Sequence, residues 1–272
     1  MNVSKGNIRQ GIRELGISNG PVCLHSSLRS FGRVQGGGAV VVDAFLEEGC
    51  TLLVPSFSWT YEVPPPEDQK RPVRNGWDYE AYAGPIEGID KRYETDSIEV
   101  DMDMGAVSAA VVRRKECKRG YHPLCSFSAV GPQAEILVSK QSPIEAFSPL
   151  AVLQELGGYV LLAGVGLDKL SLIHLAEKLS GRVLFRRWAN DSTGKPMAVE
   201  VGSCSKGFRK FKPVLAPVCR HCKVGLSQWH LFLAEQTVTA AVEAIREHPS
   251  ITHCDDEKCE KCSDAVAGGP II

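Results

Sequence analysis

The stretch from Tyr159 to Glu177 limits the fold of this chain more than any other. Tyr159 to Ala163 is an unbroken apolar run, closed by Gly164-Val165-Gly166. A run that is apolar on both faces reads as a strand buried in a sheet covered on two sides. The sequence Leu170-Ser171-Leu172-Ile173-His174-Leu175-Ala176-Glu177 follows, and its spacing predicts a helix opening near Leu170 with His174 and Glu177 on one face. An imidazole and a carboxylate then stand together beyond a strand's carboxyl end, where open α/β sheets place ligands. A neutral imidazole accepts a proton near pH 7. The competing reading is a structural histidine bonded to its own helix.

Strand and helix patterns alternate around this segment. Asn7 to Leu15 reads as a short amphipathic helix, and Pro21 to His25 as a strand running into Ser26-Ser27-Leu28-Arg29-Ser30. The Gly36-Gly37-Gly38 loop precedes a helix over Ala39 to Glu48, and Cys50 to Pro55 is a second strand, ending in Ser56-Phe57-Ser58-Trp59. From Thr60 to Asp103 periodicity fades and Pro and Gly punctuate a long excursion, of the kind that is usually functional or disordered. Helices are expected over Met104 to Arg114, around Glu135, over Leu150 to Leu156 and over Val238 to Glu247. Arg182 to Trp188 and Met197 to Val201 read as antiparallel strands. The expected architecture is one mixed α/β sandwich domain with a small cysteine-rich C-terminal extension: residues 1–203 form the core, and residues 204–272 complete the same domain and carry the cysteine-rich tail.

Composition removes several classes of function. With 272 residues, 43% hydrophobic and 23% charged, the chain can bury one sizeable core. A net charge of −1 offers no general attraction to nucleic acid. No apolar run approaches the roughly 20 residues of a membrane span, and the start of the chain has no apolar leader. A cytoplasmic protein is expected, and the scattered Cys23, Cys50, Cys117 and Cys125 suit a reducing compartment.

The remaining cysteines, Cys204, Cys219, Cys222, Cys254, Cys259 and Cys262, crowd the last third of the chain. Cys254, Cys259 and Cys262 can supply three thiolates to one structural Zn²⁺, with the fourth ligand from Cys204, Cys219, Cys222 or His253; Cys204 is the working choice. Pairing Cys219/Cys222 with Cys259/Cys262 gives an alternative two-pair knuckle, and free or oxidised surface thiols are the alternative to any metal.

Four blocks in order, His25-Ser26-Ser27-Leu28-Arg29, Pro55-Ser56-Phe57-Ser58-Trp59, His122-Pro123 through Ser126-Phe127 to Gly131, and Leu156-Gly157-Gly158 through Gly164-Val165-Gly166 to His174-Leu175-Ala176-Glu177, resemble the aminoglycoside 3-N-acetyltransferase family. This antibiotic-resistance family is distinct in fold from the common N-acetyltransferase superfamily. The resemblance implies acetyl-CoA as cosubstrate and an amine of an aminoglycoside, at its 3-amino position, as acceptor. An ammonium has no lone pair, so the transfer needs a base; His174 is the candidate, with Glu177 orienting it and His25 supporting it or the thioester oxygen. Ser26, Ser27, Leu28, Arg29, Ser30, Gly36 and Gly37 are the expected CoA contacts, and His122, Ser126 and Phe127 a second wall for pantetheine. The excursion is rich in acids and suits a polycationic acceptor, with Trp59, Glu87 and Asp96 as candidate contacts. A covalent route would use Cys125 beside His122, or Ser126 in a hydrolase, but no G-x-S-x-G elbow is present. The alternatives are an N-acetyltransferase for a different amine and a non-catalytic, zinc-containing binding protein.

Overall fold

The computed structural model describes residues 2–70, 72–77 and 89–271. In chain order the elements are β1 (Asn2–Val3), α1 (Lys5–Glu14), β2 (Pro21–Ser26), β3 (Arg33–Val34), α2 (Gly37–Glu47), β4 (Thr51–Pro55) and β5 (Glu62–Val63). After the excursion come α3 (Gly105–Val112), β6 (Lys118–Arg119), β7 (Phe127–Val130), α4 (Ala134–Val138), α5 (Ser148–Glu155), β8 (Tyr159–Ala163) and α6 (Leu172–Leu179). The chain finishes with β9 (Phe185–Asn190), β10 (Pro196–Val201), α7 (Lys212–Leu215), β11 (Cys219–Val224), β12 (Ser227–Leu233), α8 (Ala234–Glu247) and α9 (Glu260–Val266).

Seven strands form the central sheet in the order β11-β12-β8-β2-β4-β7-β6. β2 lies parallel to both β8 and β4, and the flanking strands are antiparallel, so the sheet is mixed. Alternation along β8 divides the core into two layers. Val160 and Leu162 join the cluster beneath α5, α6 and α8, whereas Leu161 and Ala163 join the one beneath α1, α2 and α3. Both faces of the strand are therefore covered, which is why it carries no polar residue. A smaller sheet, β10-β9-β5, stands beside the main one and tethers the start of the excursion.

The C-terminal third is more deeply integrated than a tail. β12 pairs with β8, one strand in from the sheet's edge, and its Trp229 is fully buried against Phe31 and Phe45. The β11/β12 hairpin has no counterpart among the strands expected from sequence, because the Cys and His residues in it invite a metal reading. Cys219 and Cys222 are three apart on a strand and so point to opposite faces, which removes the two-pair knuckle.

Candidate active site

β2 and β8 run parallel, and their carboxyl ends carry His25 on one and Gly164 on the other. Gly164 has φ +72°, and a side chain there would collide with Ser30, so the turn off β8 requires glycine. A single turn of 3₁₀ helix over Leu167–Lys169 intervenes before α6, which delays the helix start to Leu172. Helix α6 is apolar on most sides, and both His174 and Glu177 are buried on it.

His174 Nδ1 lies 2.9 Å from Glu177 Oε2. The carboxylate can only accept, so Nδ1–H donates, and in the neutral ring this puts the lone pair on Nε2. Glu177 is fully buried and is held by more than the histidine. The Arg182 guanidinium donates to its Oε1 at 2.9 Å, and the Ser203 hydroxyl lies 2.9 Å from Oε2. Arg182 is itself fixed by Thr252 Oγ1 at 2.8 Å and the Pro249 carbonyl at 2.6 Å. The ring of His174 is clamped between Phe147 and Phe208, with centroids at 5.1 and 4.8 Å. A Cβ at Gly202 would come within 2.7 Å of Nε2, so the backbone there passes directly over the reactive nitrogen.

Nε2 faces a cavity of 180 Å³ walled in part by His25, Trp59, Met104, Cys125, Lys169 and Ser203. A second cavity of 310 Å³ shares Trp59, Gly202 and Ser203 with it. His25 is buried, and burial, followed by the charge of Lys169, lowers its pKa to about 4. Burial pushes the Cys125 thiol well above its ordinary range, so the covalent route has no thiolate to use.

Several expected residues lie elsewhere. His122 has no exposed surface; its Nε2–H donates to the Glu200 carbonyl at 2.8 Å and its Nδ1 accepts from the Cys125 N–H at 2.8 Å. Its role is to tie the loop, and burial lowers its pKa to about 4. Ser126 is buried against Arg119 and Ser56, and Phe127 is inside the core, so neither lines the cavity. Ser30 is turned inward, bonded to the Ser27 carbonyl and to Ser227 Oγ. Asp96 is exposed and away from both cavities, and Glu87 lies outside the described residues. Among the described acids of residues 60–103, only Glu62 lines either cavity; Glu99 is held by Tyr61 and Asp101 by the Trp59 N–H.

Sequence reasoning missed Arg182, Ser203, Arg119 and Gly105. Arg119 is buried and donates to the carbonyls of Ser56, Ser97 and Glu99, which clamps the far end of the excursion to the sheet. Gly105 opens α3 with φ +83° beside the Ser26 carbonyl, and Gly38 packs so closely on Ala106 that no side chain fits between. The amino ends of α2 and α3 therefore meet beyond β2, and no side chain caps either helix. A lone Gly after an acidic stretch carries no periodic signal, so only the tertiary meeting of two helix starts reveals it.

The sulfurs of Cys204, Cys254, Cys259 and Cys262 all lie within 4.8 Å of one another. Four thiolates around a tetrahedral ion at about 2.3 Å would sit about 3.8 Å apart, close to this arrangement. The backbone N–H of Cys254 also donates to the Cys262 sulfur at 3.2 Å.

An imidazole backed by a buried carboxylate thus lines a cavity beyond the carboxyl ends of β2 and β8. The model of the aminoglycoside 3-N-acetyltransferase family matches residues 23–246, and the chain belongs to that family of acetyltransferases. It is 34% identical over 173 residues to aminoglycoside N(3)-acetyltransferase IV of Salmonella sp, covering 61% of this chain and 55% of that one. The solved structure of aminoglycoside acetyltransferase AAC(3)-IVa without ligand is 26% identical, with a TM-score of 0.78 over 98% of both chains. A histidine-to-alanine variant of that enzyme, in complex with a gentamicin, matches with a TM-score of 0.77 at the same identity and coverage.

The two depressed histidines make stability depend on pH. Between their ordinary value of 6.5 and about 4, the unfolded chain binds protons that folded His25 and His122 refuse, so stability rises with pH through that window. Urea unfolding should show stability falling on acidification from pH 7 towards 4, with a shallower fall in His25→Asn. Parallel profiles for the two proteins would contradict the buried, neutral His25.

Proposed function

We propose that this protein transfers the acetyl group of acetyl-CoA to an amine, with aminoglycosides among its acceptors and the 3-amino group as the site. The observation that carries the reading is His174, which lines the cavity with its Nδ1 2.9 Å from the buried carboxylate of Glu177. The acceptor reacts as the free amine, its ammonium proton already lost to solvent; as it attacks, Nε2 takes one N–H proton, and Glu177 stabilises the imidazolium that results. The amine nitrogen attacks the thioester carbon, the C–S bond breaks, and the proton held at His174 passes to the departing thiolate. His25 is neutral at pH 7 and can donate a hydrogen bond towards the thioester oxygen. The relatives' names and the gentamicin complex support an aminoglycoside acceptor, held in contact with Trp59.

The hydroxyls of Ser26 and Ser27, the backbone around Leu28, exposed Arg29, and the N–H groups at the starts of α2 and α3 form the binding surface for the CoA phosphates. Gly36 and Gly37, both at positive φ, bring that backbone close. The intact base, its buried support and its open cavity speak against a non-catalytic binding protein. Residues 1–203 and 204–272 act as one domain in this reading, because β12 completes the sheet that positions the base.

Cys204, Cys254, Cys259 and Cys262 suit one closed structural Zn²⁺, and such an ion would cross-link the segment after β10 to the C-terminal segment. It would take no part in proton transfer.

Thiol release from acetyl-CoA, followed against a panel of aminoglycosides and simpler amines, tests the catalytic reading. His174→Ala is expected to lower kcat by about 10²–10⁴ while leaving acetyl-CoA affinity within a few-fold; near-normal turnover would remove the base. Elemental analysis of protein prepared without chelator should find about one zinc per chain. A value under about a tenth of an equivalent would end the metal assignment.

A further inference from the structure

The two oxygens of Glu177 have different kinds of partner. Oε2 takes the Nδ1–H of His174 at 2.9 Å, and Oε1 takes Nη1 of Arg182 at 2.9 Å. A guanidinium keeps its charge at every working pH, whereas an imidazole gains and loses a proton. Arg182 comes from the turn between α6 and β9 and is buried. Its other side-chain contacts are neutral: Thr252 Oγ1 lies 2.8 Å from Nη1, and the Pro249 carbonyl accepts from Nη2 at 2.6 Å. Among the described residues, Glu177 is the one carboxylate within ion-pair reach of this guanidinium.

The consequence for His174 is electrostatic. A carboxylate standing alone behind an imidazole, out of water, favours the protonated ring, because the imidazolium is then the only charge that offsets it. A base held in that way is already occupied and gives its proton up poorly. With Arg182 on the other oxygen, the charge of Glu177 is met before any proton is transferred, so the carboxylate orients the ring without holding a proton on it. The other charged or titratable groups around the ring are His25 from β2, Cys125 from the loop before β7, and Asp168 and Lys169 from the turn before α6. Lys178, on α6 itself, is engaged by Glu145 and Glu200. Among the described residues, only His174, Arg182 and the uncharged Ser203 bond to the Glu177 side chain.

We infer that Arg182 is a positioning residue for the transfer, acting through Glu177 to set the strength of His174 as a base. It leaves Nε2 free to take the acceptor's proton and lets that proton pass on to the departing thiolate. This inference rests on the reading of His174 as the base of an amine acetyltransferase.

The test compares full-length wild type with Arg182→Gln, which keeps a planar donor but no charge, and Arg182→Lys, which keeps the charge. Thiol release from acetyl-CoA is followed across pH, and the His174 ring is titrated by NMR in histidine-labelled protein, with thermal melts as a control for folding. In Arg182→Gln the acid limb of the kcat profile should move to higher pH by about one unit or more, with turnover recovering on the alkaline side and both KM values within a few-fold. Arg182→Lys should keep the limb where the wild type has it. A uniform loss of kcat at every pH in Arg182→Gln, an unmoved limb, or a limb moved to lower pH, as when Glu177 itself takes up a proton, would overturn the inference. If Arg182→Gln does not fold, Arg182→Lys decides it, because a limb displaced upward with the charge retained would equally overturn the role. A wild type that releases no thiol with any amine would reject the acetyltransferase reading; the electrostatic role would then stand or fall on the NMR titration, which needs no turnover.

Discussion

The buried carboxylate of Glu177 is the interaction on which the rest of the site depends. An ionised carboxylate removed from water costs several kcal/mol unless its charge and lone pairs are met. Here Arg182 meets the charge, while Ser203 and the Nδ1–H of His174 fill the remaining acceptor positions. The same bonds that make the burial tolerable also fix the histidine tautomer. Stability and chemistry at this point are one arrangement, and Arg182 belongs to it as fully as the residues that face the cavity.

Segments distant in sequence converge on that carboxylate. Ser203 is next to Cys204, and Thr252, which fixes Arg182, lies two residues before Cys254. Cys259 and Cys262 begin the helix that carries Lys261 to the neighbouring cavity. The four-sulfur cluster therefore adjoins both Ser203, which supports Glu177, and Lys261, which lines the neighbouring cavity.

Local pattern made much of this legible. The apolar run of β8 agrees with the structure end for end, and the spacing of His174 and Glu177 on α6 put them on one face as a helix requires. Cys204, Cys254, Cys259 and Cys262 do meet, because three of them are near in sequence and the fourth follows β10. What stayed hidden depends on tertiary contact. Arg182 reads as a charge opening a strand, Ser203 as a loop hydroxyl, and His122 as a ligand-facing residue, although the fold turns it into a buried loop tie. The acidic bias of the excursion suggested contacts for a polycation, yet of its described acids only Glu62 lines either cavity, while Glu99 and Asp101 are held by Tyr61 and the Trp59 N–H.

The most direct measurement of the central claim is nitrogen-resolved NMR of the His174 imidazole in protein labelled at histidine, with His174→Ala used for assignment. The account predicts a neutral ring protonated at Nδ1, bonded to Glu177, with an unprotonated Nε2 facing the cavity. A neutral ring carrying its proton on Nε2 would contradict it, because that nitrogen could not then receive the proton of an acceptor amine.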